Sequence, residues 1–586
     1  MMMETVKTVH PRGIRARVLL SSVFGPYAQD DAFGSRKINP MELYQNQVTR
    51  VQGAFSLRMF HRSFGLMMIQ ANLKAPCYLL DFPSLERFTD EIRNNTYDIV
   101  GISGIVPNIG KVKKMCELVR QYQPRAVIVV GGHIAAMEGL DSRIDADHIV
   151  RGDGIRWFRE FLGQNPEEPI THPAVLSANG TRIVGRNLRE KPGDVAAILI
   201  PSVGCPVGCN FCSTSALFGG KGNFINFYQT GRELFDVMCG LERQLKVRSF
   251  FVLDENFLLH KKRSMELMEL MKQHNKSWVL SVFSSARVIK SYTLDELLAL
   301  GIGWVWMGLE GKSSQYRKLN DIDTFELVNE LQANGIRVLG SSIIGLENHT
   351  PENLPEAIDY AVSHDTVFHQ FMLYTPNAGT PLYEEHRQKG TLYNETEFPL
   401  ADAHGQYRFR YRHPHIQNGQ EEQFLLDAFT RDFEVNGPSL FRLIRTLLSG
   451  WQKHKNHPDW RIRDRYNWEV DPLRSTYAGA VWGMRKYYAA RDRAMADRMD
   501  ALLDDICAEF GWKTRLAARV IGEVAYRSII KEEKRLARGW TYEPPQFFEK
   551  NAAALALEQP RTAKSGIRFP DDLLEPVTVP APALKG

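Results

Sequence analysis

Cysteine is scarce in this sequence, with seven among 586 residues, and three of the seven, Cys205, Cys209 and Cys212, stand in one short stretch. So few scattered thiols exclude the even framework of a disulfide-stapled secreted domain, and a cluster of free thiolates requires a reducing compartment. Long hydrophobic runs are missing too. Ala126 to Val130 and Val195 to Ile200 are strand-sized, far short of the ~18 apolar residues of a membrane span. Met1 to Arg17 lacks the apolar stretch of a signal peptide, so a cytoplasmic chain is expected. Neither sign of charge dominates: the formal net charge is +5, which demands no nucleic-acid partner. A hydrophobic fraction of 44% and a charged fraction of 24% exclude global disorder, and the length implies several folded units.

Residues 1–165 alternate short β-branched runs with amphipathic stretches, starting with the strand candidate Val18 to Val23. Leu85, Phe88 and Ile92 recur at helical spacing after a Ser84 cap, and Val112, Met115, Cys116 and Val119 repeat the pattern before Ala126 to Val130. This rhythm reads as a doubly wound, flavodoxin-like α/β domain. Residues 166–194, rich in Pro, Gly and charge, read as a linker. Over 195–400, six strand-like runs alternate with helical stretches, the pattern of a partial (βα)6 barrel of TIM type. Thr293 with Glu296 is a capping-box pair, and Thr350-Pro351 reads as a helix start. Residues 401–558 read as a mainly helical region, with helices over Phe424 to Leu448 and Tyr477 to Leu503. The proline-rich tail 559–586 is too poor in aromatics to order itself and is expected to be mobile.

Gly204-Cys205-Pro206-Val207-Gly208-Cys209-Asn210-Phe211-Cys212 follows directly on a strand run, which places three thiolates at the barrel's C-terminal face, where active sites gather. Gly204 and Gly208 let the backbone wrap tightly. Three thiolates suit a [4Fe-4S] cluster with one iron left open; the competing reading is a Cys3His zinc site. The C-x3-C-x2-C spacing with an aromatic before the last cysteine resembles the radical S-adenosylmethionine (SAM) superfamily. That resemblance implies cluster ligation by Cys205, Cys209 and Cys212 and cleavage of SAM to a hydrogen-abstracting 5′-deoxyadenosyl radical. Asp254-Glu255-Asn256-Phe257 resembles the D-[DE]-N-F segment of cobalamin-linked members, Gly308-Leu309-Glu310 a later G-x-E segment, Gly340 to Gly345 a small-residue strand end, and Pro376 to Pro381 the P-x-x-G-T-P closing loop. With Phe211, Glu255, Arg287, Glu310 and Ser342 the resemblance supplies a set of SAM-binding residues; singly, each carboxylate is as well read as a cap or surface charge.

Ile99 to Ser103, Val127 to His133 and Val150-Arg151-Gly152-Asp153-Gly154 resemble the D-x-V-G-I-S, V-x-V-G-G-x-H and V-x-G-[DE]-G segments of the cobalamin-binding domain that precedes the barrel in one large radical SAM class. The resemblance implies cobalamin contacts by Ser103, Gly131, Gly132 and His133. One departure stands out: Phe24-Gly25-Pro26-Tyr27 replaces the D-x-H-x-x-G motif that supplies an axial histidine to cobalt. The competing reading is an empty flavodoxin-like domain, with His133 an ordinary loop residue. Cys77, Cys116, Cys239 and Cys507 lie apart and read as core residues.

Tyr407-Arg408-Phe409-Arg410-Tyr411-Arg412 alternates rings with guanidiniums, which in an extended chain puts each set on its own face: an anion grip or, more plainly, an edge strand. Trp451, Trp460, Trp468 and Trp482 suit an apolar lid, a membrane-surface patch or ordinary core packing. The family resemblance implies a cobalamin-dependent C-methyltransferase fed electrons by a partner such as flavodoxin or ferredoxin, and the aromatic-rich helical end suits a lipid or other apolar natural product as substrate and a peripheral membrane contact. Two alternatives remain: a radical SAM cyclase or carbon–carbon coupling enzyme with cobalamin idle, and a non-catalytic corrinoid or cluster sensor.

Overall fold

The computed structural model describes residues 8–27, 31–33, 43–188, 193–309, 322–417 and 419–558; Glu310 and the tail 559–586 lie outside them. Five parallel strands build the front sheet: β1 Val18–Ser22, β2 Cys77–Asp81, β3 Ile99–Ser103, β4 Val127–Gly131 and β5 His148–Ile149. Their spatial order is β2-β1-β3-β4-β5, the flavodoxin-like order expected. Every residue of β1 and β2 is buried, as continuous apolar strands are when helices cover both faces. Phe88, Ile92, Val112 and Met115 pack on one face. Met68, Ile155 and Phe158 pack on the other. Ser84 caps the helix Leu85–Asn94 by accepting from the N–H of Arg87, as its sequence position indicates.

The second sheet is also parallel. β6 Ala197–Leu199, β7 Ser249–Val252, β8 Val279–Phe283, β9 Ile302–Gly308, β10 Arg337–Ile344 and β11 Phe368–Leu373 are neighbours in space in the order of the chain. This is the expected open six-stranded barrel. Side chains such as Val252, Leu280 and Val305 face the helices and share their core. The opposite, inner face is aromatic: Phe283 stacks on Trp306 at 4.9 Å, Trp304 on Phe368 at 5.5 Å, and Phe251 lies 5.7 Å from Phe283.

Five expectations need correction. The stretch read as a plain linker holds a hairpin, Asn179–Ile183 with Arg186–Asn187, whose first strand pairs with Arg58–Phe60. The helix expected at Thr350-Pro351 starts at Leu354, because the Thr350 hydroxyl is engaged by the N–H groups of Glu352 and Asn353, and Pro355 takes the first turn. Gly437 (φ 79°) and Pro438 split the first long C-terminal stretch into Gln420–Asn436 and Ser439–His454, since proline cannot continue the hydrogen-bond ladder. The second splits likewise into Thr476–Tyr488 and Arg493–Phe510, the latter capped by Asp492. Finally, the mainly helical region contains a strand near its end, β12 Phe547–Lys550, which adds antiparallel to β2 at the edge of the front sheet and is followed by the short helix Ala552–Glu558. An open edge needs such a cover. Arg62 bridges buried Asp81 at 2.8 Å and Glu549 at 2.9 Å, and the Asn551 side-chain carbonyl accepts from the N–H of Cys77 at 3.0 Å.

Candidate functional site

The chain leaves β6 through Ser202–Val203, which pairs antiparallel with Ile225–Asn226. That short ladder closes the loop carrying the three cysteines. Gly208 has φ +68°, and a Cβ there would sit 2.5 Å from the Lys221 Cα; only glycine fits. The Ser215 hydroxyl donates to the Cys205 carbonyl at 2.8 Å, and the N–H of Cys212 donates to the Cys209 carbonyl at 3.1 Å. From outside the loop, the N–H of Leu382 donates to the Asn210 carbonyl at 3.0 Å, so the helix Pro381–Gln388 starts against the cysteine loop.

Burial raises the Cys205 thiol to about 11, and the charges of Cys209, Cys212 and Glu255 push the same way. Cys212 is raised for the same main reason. The thiols are therefore near enough to feel one another, although the Cys212 sulfur accepts from the N–H of Ser215 at 3.5 Å. Among the described residues no three His, Cys, Asp or Glu side chains form a ready metal cage. The donor set nevertheless fits an iron–sulfur cluster: soft thiols whose anionic forms, disfavoured by burial and by one another's charge, a cationic centre would stabilise.

A cavity of about 580 Å³ opens beside this loop. One wall is the C-terminal edge of the front sheet, with Gly101, Ser103, Gly132, His133 and Gly154; the other is the barrel edge, with Val203, Thr214, Leu217, Glu255 and Phe283. Its floor runs between the helices Phe64–Ala71 and Gly154–Phe161. The walls are predominantly apolar, as ligand pockets of this size are. Gly132 has φ +83°, and a Cβ there would lie 2.7 Å from the Gly104 carbonyl and 2.8 Å from the Ser103 hydroxyl. At Gly131 no atom comes closer than 3.8 Å to such a Cβ, so its backbone is open to a flat ligand. This glycine-edged apolar slot fits a corrinoid.

The adjoining carboxylates divide their work. Asp254 is buried and satisfied, accepting from Ser202 at 2.6 Å, Arg263 at 2.6 Å and the N–H of Asn256 at 3.1 Å. Glu255 is half-buried and lines the cavity, and its Oε2 is buried without a hydrogen-bond partner. Burial, with the Asp254 charge, raises its carboxyl to about 7. A buried acceptor with an unused lone pair is costly unless a ligand completes it, and an ammonium group is the natural complement. His133 is half-buried on the same cavity, and burial lowers its pKa, so the ring is neutral at physiological pH.

Several residues expected at the site stand elsewhere. Arg287 is exposed, because Ala286 and Ile289 of its short helix take the inward positions. Ser342 points to the helical side of β10, within 3.0 Å of His369 Nε2; strand alternation gives the inner face to Ser341, which accepts from Trp306 Nε1 at 2.7 Å. The Phe211 ring packs edge-on against Tyr374 at 6.2 Å. His133 directly follows the glycine pair, one position earlier than in the pattern it resembles. The Phe24 to Tyr27 loop is tied down by the fully buried Lys111, which donates to the carbonyls of Phe24 and Pro26, each at 2.8 Å. In the 407–412 segment, rings and guanidiniums do not separate by face: Arg410 is buried along with Phe409 and Tyr411, and Arg412 is paired to Glu397 at 2.7 Å. The four tryptophans are dispersed, Trp451 bonding Glu509 at 2.9 Å while Trp460 is exposed. The cavity floor, with Phe64, Met68 and Ile69, was not foreseen. Its only sequence signal is a short helix apolar on every side.

The front domain agrees with a family match found by comparison with known proteins. Residues 54–162 match the B12 binding domain family. An uncharacterised methyltransferase of Pyrococcus horikoshii is 25% identical over 49% of this chain and 69% of its own length. The bacteriochlorophyllide d C-8(2)-methyltransferase of Chlorobaculum tepidum is 22% identical over 57% of this chain and 77% of its own. The anaerobic magnesium-protoporphyrin IX monomethyl ester cyclase of Cereibacter sphaeroides is 23% identical over 55% and 58%. The solved structure of TsrM from Kitasatospora setae, a radical SAM methyltransferase with cobalamin and a [4Fe-4S] cluster bound, aligns over 78% of this chain and 99% of that one at 17% identity and a TM-score of 0.48. The chain is thus an enzyme similar to bacteriochlorophyllide methyltransferases and magnesium-protoporphyrin ester cyclases, with a B12 binding domain match over residues 54–162.

Proposed function

We propose that this enzyme methylates an unactivated carbon of an apolar small molecule, using a [4Fe-4S] cluster, SAM and cobalamin. The observation that carries the reading is one cavity lined on one side by the glycine edge of the front sheet and on the other by Glu255 and by Val203 and Thr214, the residues that flank the cysteine loop. Bound there, the cluster with SAM supplies a hydrogen-abstracting radical and the corrin a methyl group. Cys205, Cys209 and Cys212 would hold the cluster and leave one iron for the SAM amino and carboxylate groups. Glu255 would accept from an N–H of that amino group through its unpartnered oxygen. Gly131 and Gly132 would admit the corrin face by close backbone approach, with Ser103 donating to its periphery and the neutral His133 on the wall. The apolar walls keep water from a reactive carbon. The aromatic inner face of the barrel, continuous with the cavity through Phe283, supports an apolar substrate such as a lipid or other natural product. A low-potential donor of the flavodoxin or ferredoxin kind would reduce the cluster.

Cyclase relatives favour a second reading, rearrangement without methyl transfer, and product analysis separates the two. Reduced, anaerobically reconstituted protein should bind iron, sulfide and corrinoid. Turnover should release S-adenosylhomocysteine together with 5′-deoxyadenosine and add one methylene mass to the substrate. 5′-Deoxyadenosine alone would move the assignment to cyclisation.

A further inference from the structure

The helix Trp512–Leu536 presents a row of large apolar side chains to solvent. Trp512 is 71% exposed, Leu516 57%, Val520 62% and Val524 45%. They recur every fourth residue, and because each such step advances only about 40° around a helix they form one slowly turning stripe about 18 Å long. The opposite face is spent on packing. Gly522 is pressed against Trp482, where a Cβ would meet ring carbon at 2.5 Å, and Thr514, Ala518, Ala525 and Ile529 are buried. The stripe is therefore the outside of a well-seated helix.

Its charges are of one sign. Residues 512–522 contain Lys513, Arg515 and Arg519 and no carboxylate. All three cations are exposed, and no ion pair among the described residues engages them. The first acid, Glu523, is already held by Lys486 at 2.6 Å and Arg527 at 3.2 Å. Isolated exposed apolar residues need no explanation, but a tryptophan-led apolar stripe edged by unpaired cations is the composition of a helix that lies in a lipid headgroup region. A second copy of the chain suits this face poorly: a two-fold contact centred on the stripe would bring the Arg515 and Arg519 side chains of both copies together, like charge against like. No helix among the described residues is long and apolar enough to cross a membrane, so the contact is one of surface attachment.

We infer that the Trp512 to Val524 face docks the enzyme on an anionic lipid bilayer. The inference stands on this surface alone and does not depend on the reaction assigned above. The full-length protein should co-sediment with vesicles of phosphatidylcholine and phosphatidylglycerol, bind vesicles of phosphatidylcholine alone far less, and be released by salt. Trp512→Ala with Leu516→Ser should lower the partition coefficient by about tenfold or more. Arg515→Gln with Arg519→Gln should abolish the preference for the anionic lipid. All four positions are exposed, and an unchanged thermal midpoint in each variant would show that the fold is intact. Wild-type protein left in the supernatant with anionic vesicles overturns the inference, as does binding that neither pair of substitutions alters. A lipid-free dimer that Trp512→Ala with Leu516→Ser dissociates would also overturn it and assign the face to a second copy.

Discussion

The two walls of the cavity are built on opposite principles. The front-sheet wall offers backbone: Gly101, Gly131, Gly132 and Gly154 remove side chains so that peptide groups come forward. The barrel wall offers side chains: the Glu255 carboxyl with its unpartnered oxygen, and, between the lining residues Val203 and Thr214, a glycine-turned loop that carries three thiols. A surface of peptide groups holds a large ligand by shape, and a surface of titratable groups does chemistry. Disabling each wall should therefore give different failures. Replacing Cys205, Cys209 or Cys212 by Ala should lower turnover about a thousandfold or more and remove the cluster's visible absorption, while corrinoid binding to the front wall survives. Turnover retained in any of these variants would break the distinction.

The converse substitution is Gly132→Val. It forces a side chain into the left-handed region and against the Gly104 carbonyl, a local cost of ~1–3 kcal/mol. Corrinoid content should drop about tenfold, with iron and sulfide stoichiometry and SAM binding unchanged. If iron falls with corrinoid, the walls are not separable.

Glu255 sharpens the comparison further, because its effect depends on pH. With its carboxyl raised to about 7, the group is neutral in acid and becomes a charged acceptor for an N–H of the SAM amino group only as pH rises through neutrality. The KM for SAM should therefore fall between pH 6 and 8 (about one unit on either side of that value), and Glu255→Gln should raise it about tenfold and flatten the profile. Stability carries the same sign. A carboxyl that binds its proton more tightly in the folded protein stabilises the fold at low pH and loses that contribution as pH rises from ~4.5 to about 7. Glu255→Gln should thus raise the thermal midpoint in mildly alkaline solution. An unshifted midpoint with a flat KM profile in the wild type would return Glu255 to a structural role.

The backbone wall was the more legible in sequence. Glycines at strand ends report what the chain must do locally, and Gly101, Gly131, Gly132 and Gly154 all line the cavity. So did the sheet order, because continuous apolar runs separated by amphipathic helices admit few topologies. The side-chain wall was legible only where chemistry is concentrated in a loop, as for the cysteines. Asp254 and Glu255 look equivalent on paper, and only the Arg263 and Ser202 contacts show which of them is spent on structure. Ser341 and Ser342 differ by one step of strand alternation, which sequence alone does not fix. β12 was invisible because pairing with β2 joins residues far apart in the chain, and no local pattern carries that information.

Arg287 supplies the smallest expected effect. Resemblance to SAM-binding patterns puts it at the site, whereas the fold leaves it exposed on a short helix with its neighbours turned inward. Exposed side chains with no buried contact change stability by about ±0.5 kcal/mol when truncated. Arg287→Ala should therefore leave the thermal midpoint unchanged and shift kcat/KM for SAM by no more than about twofold. A larger loss confined to KM would mean that this guanidinium swings inward when SAM binds and that the side-chain wall extends beyond Glu255. A loss in kcat alone would place its action on the reacting substrate instead.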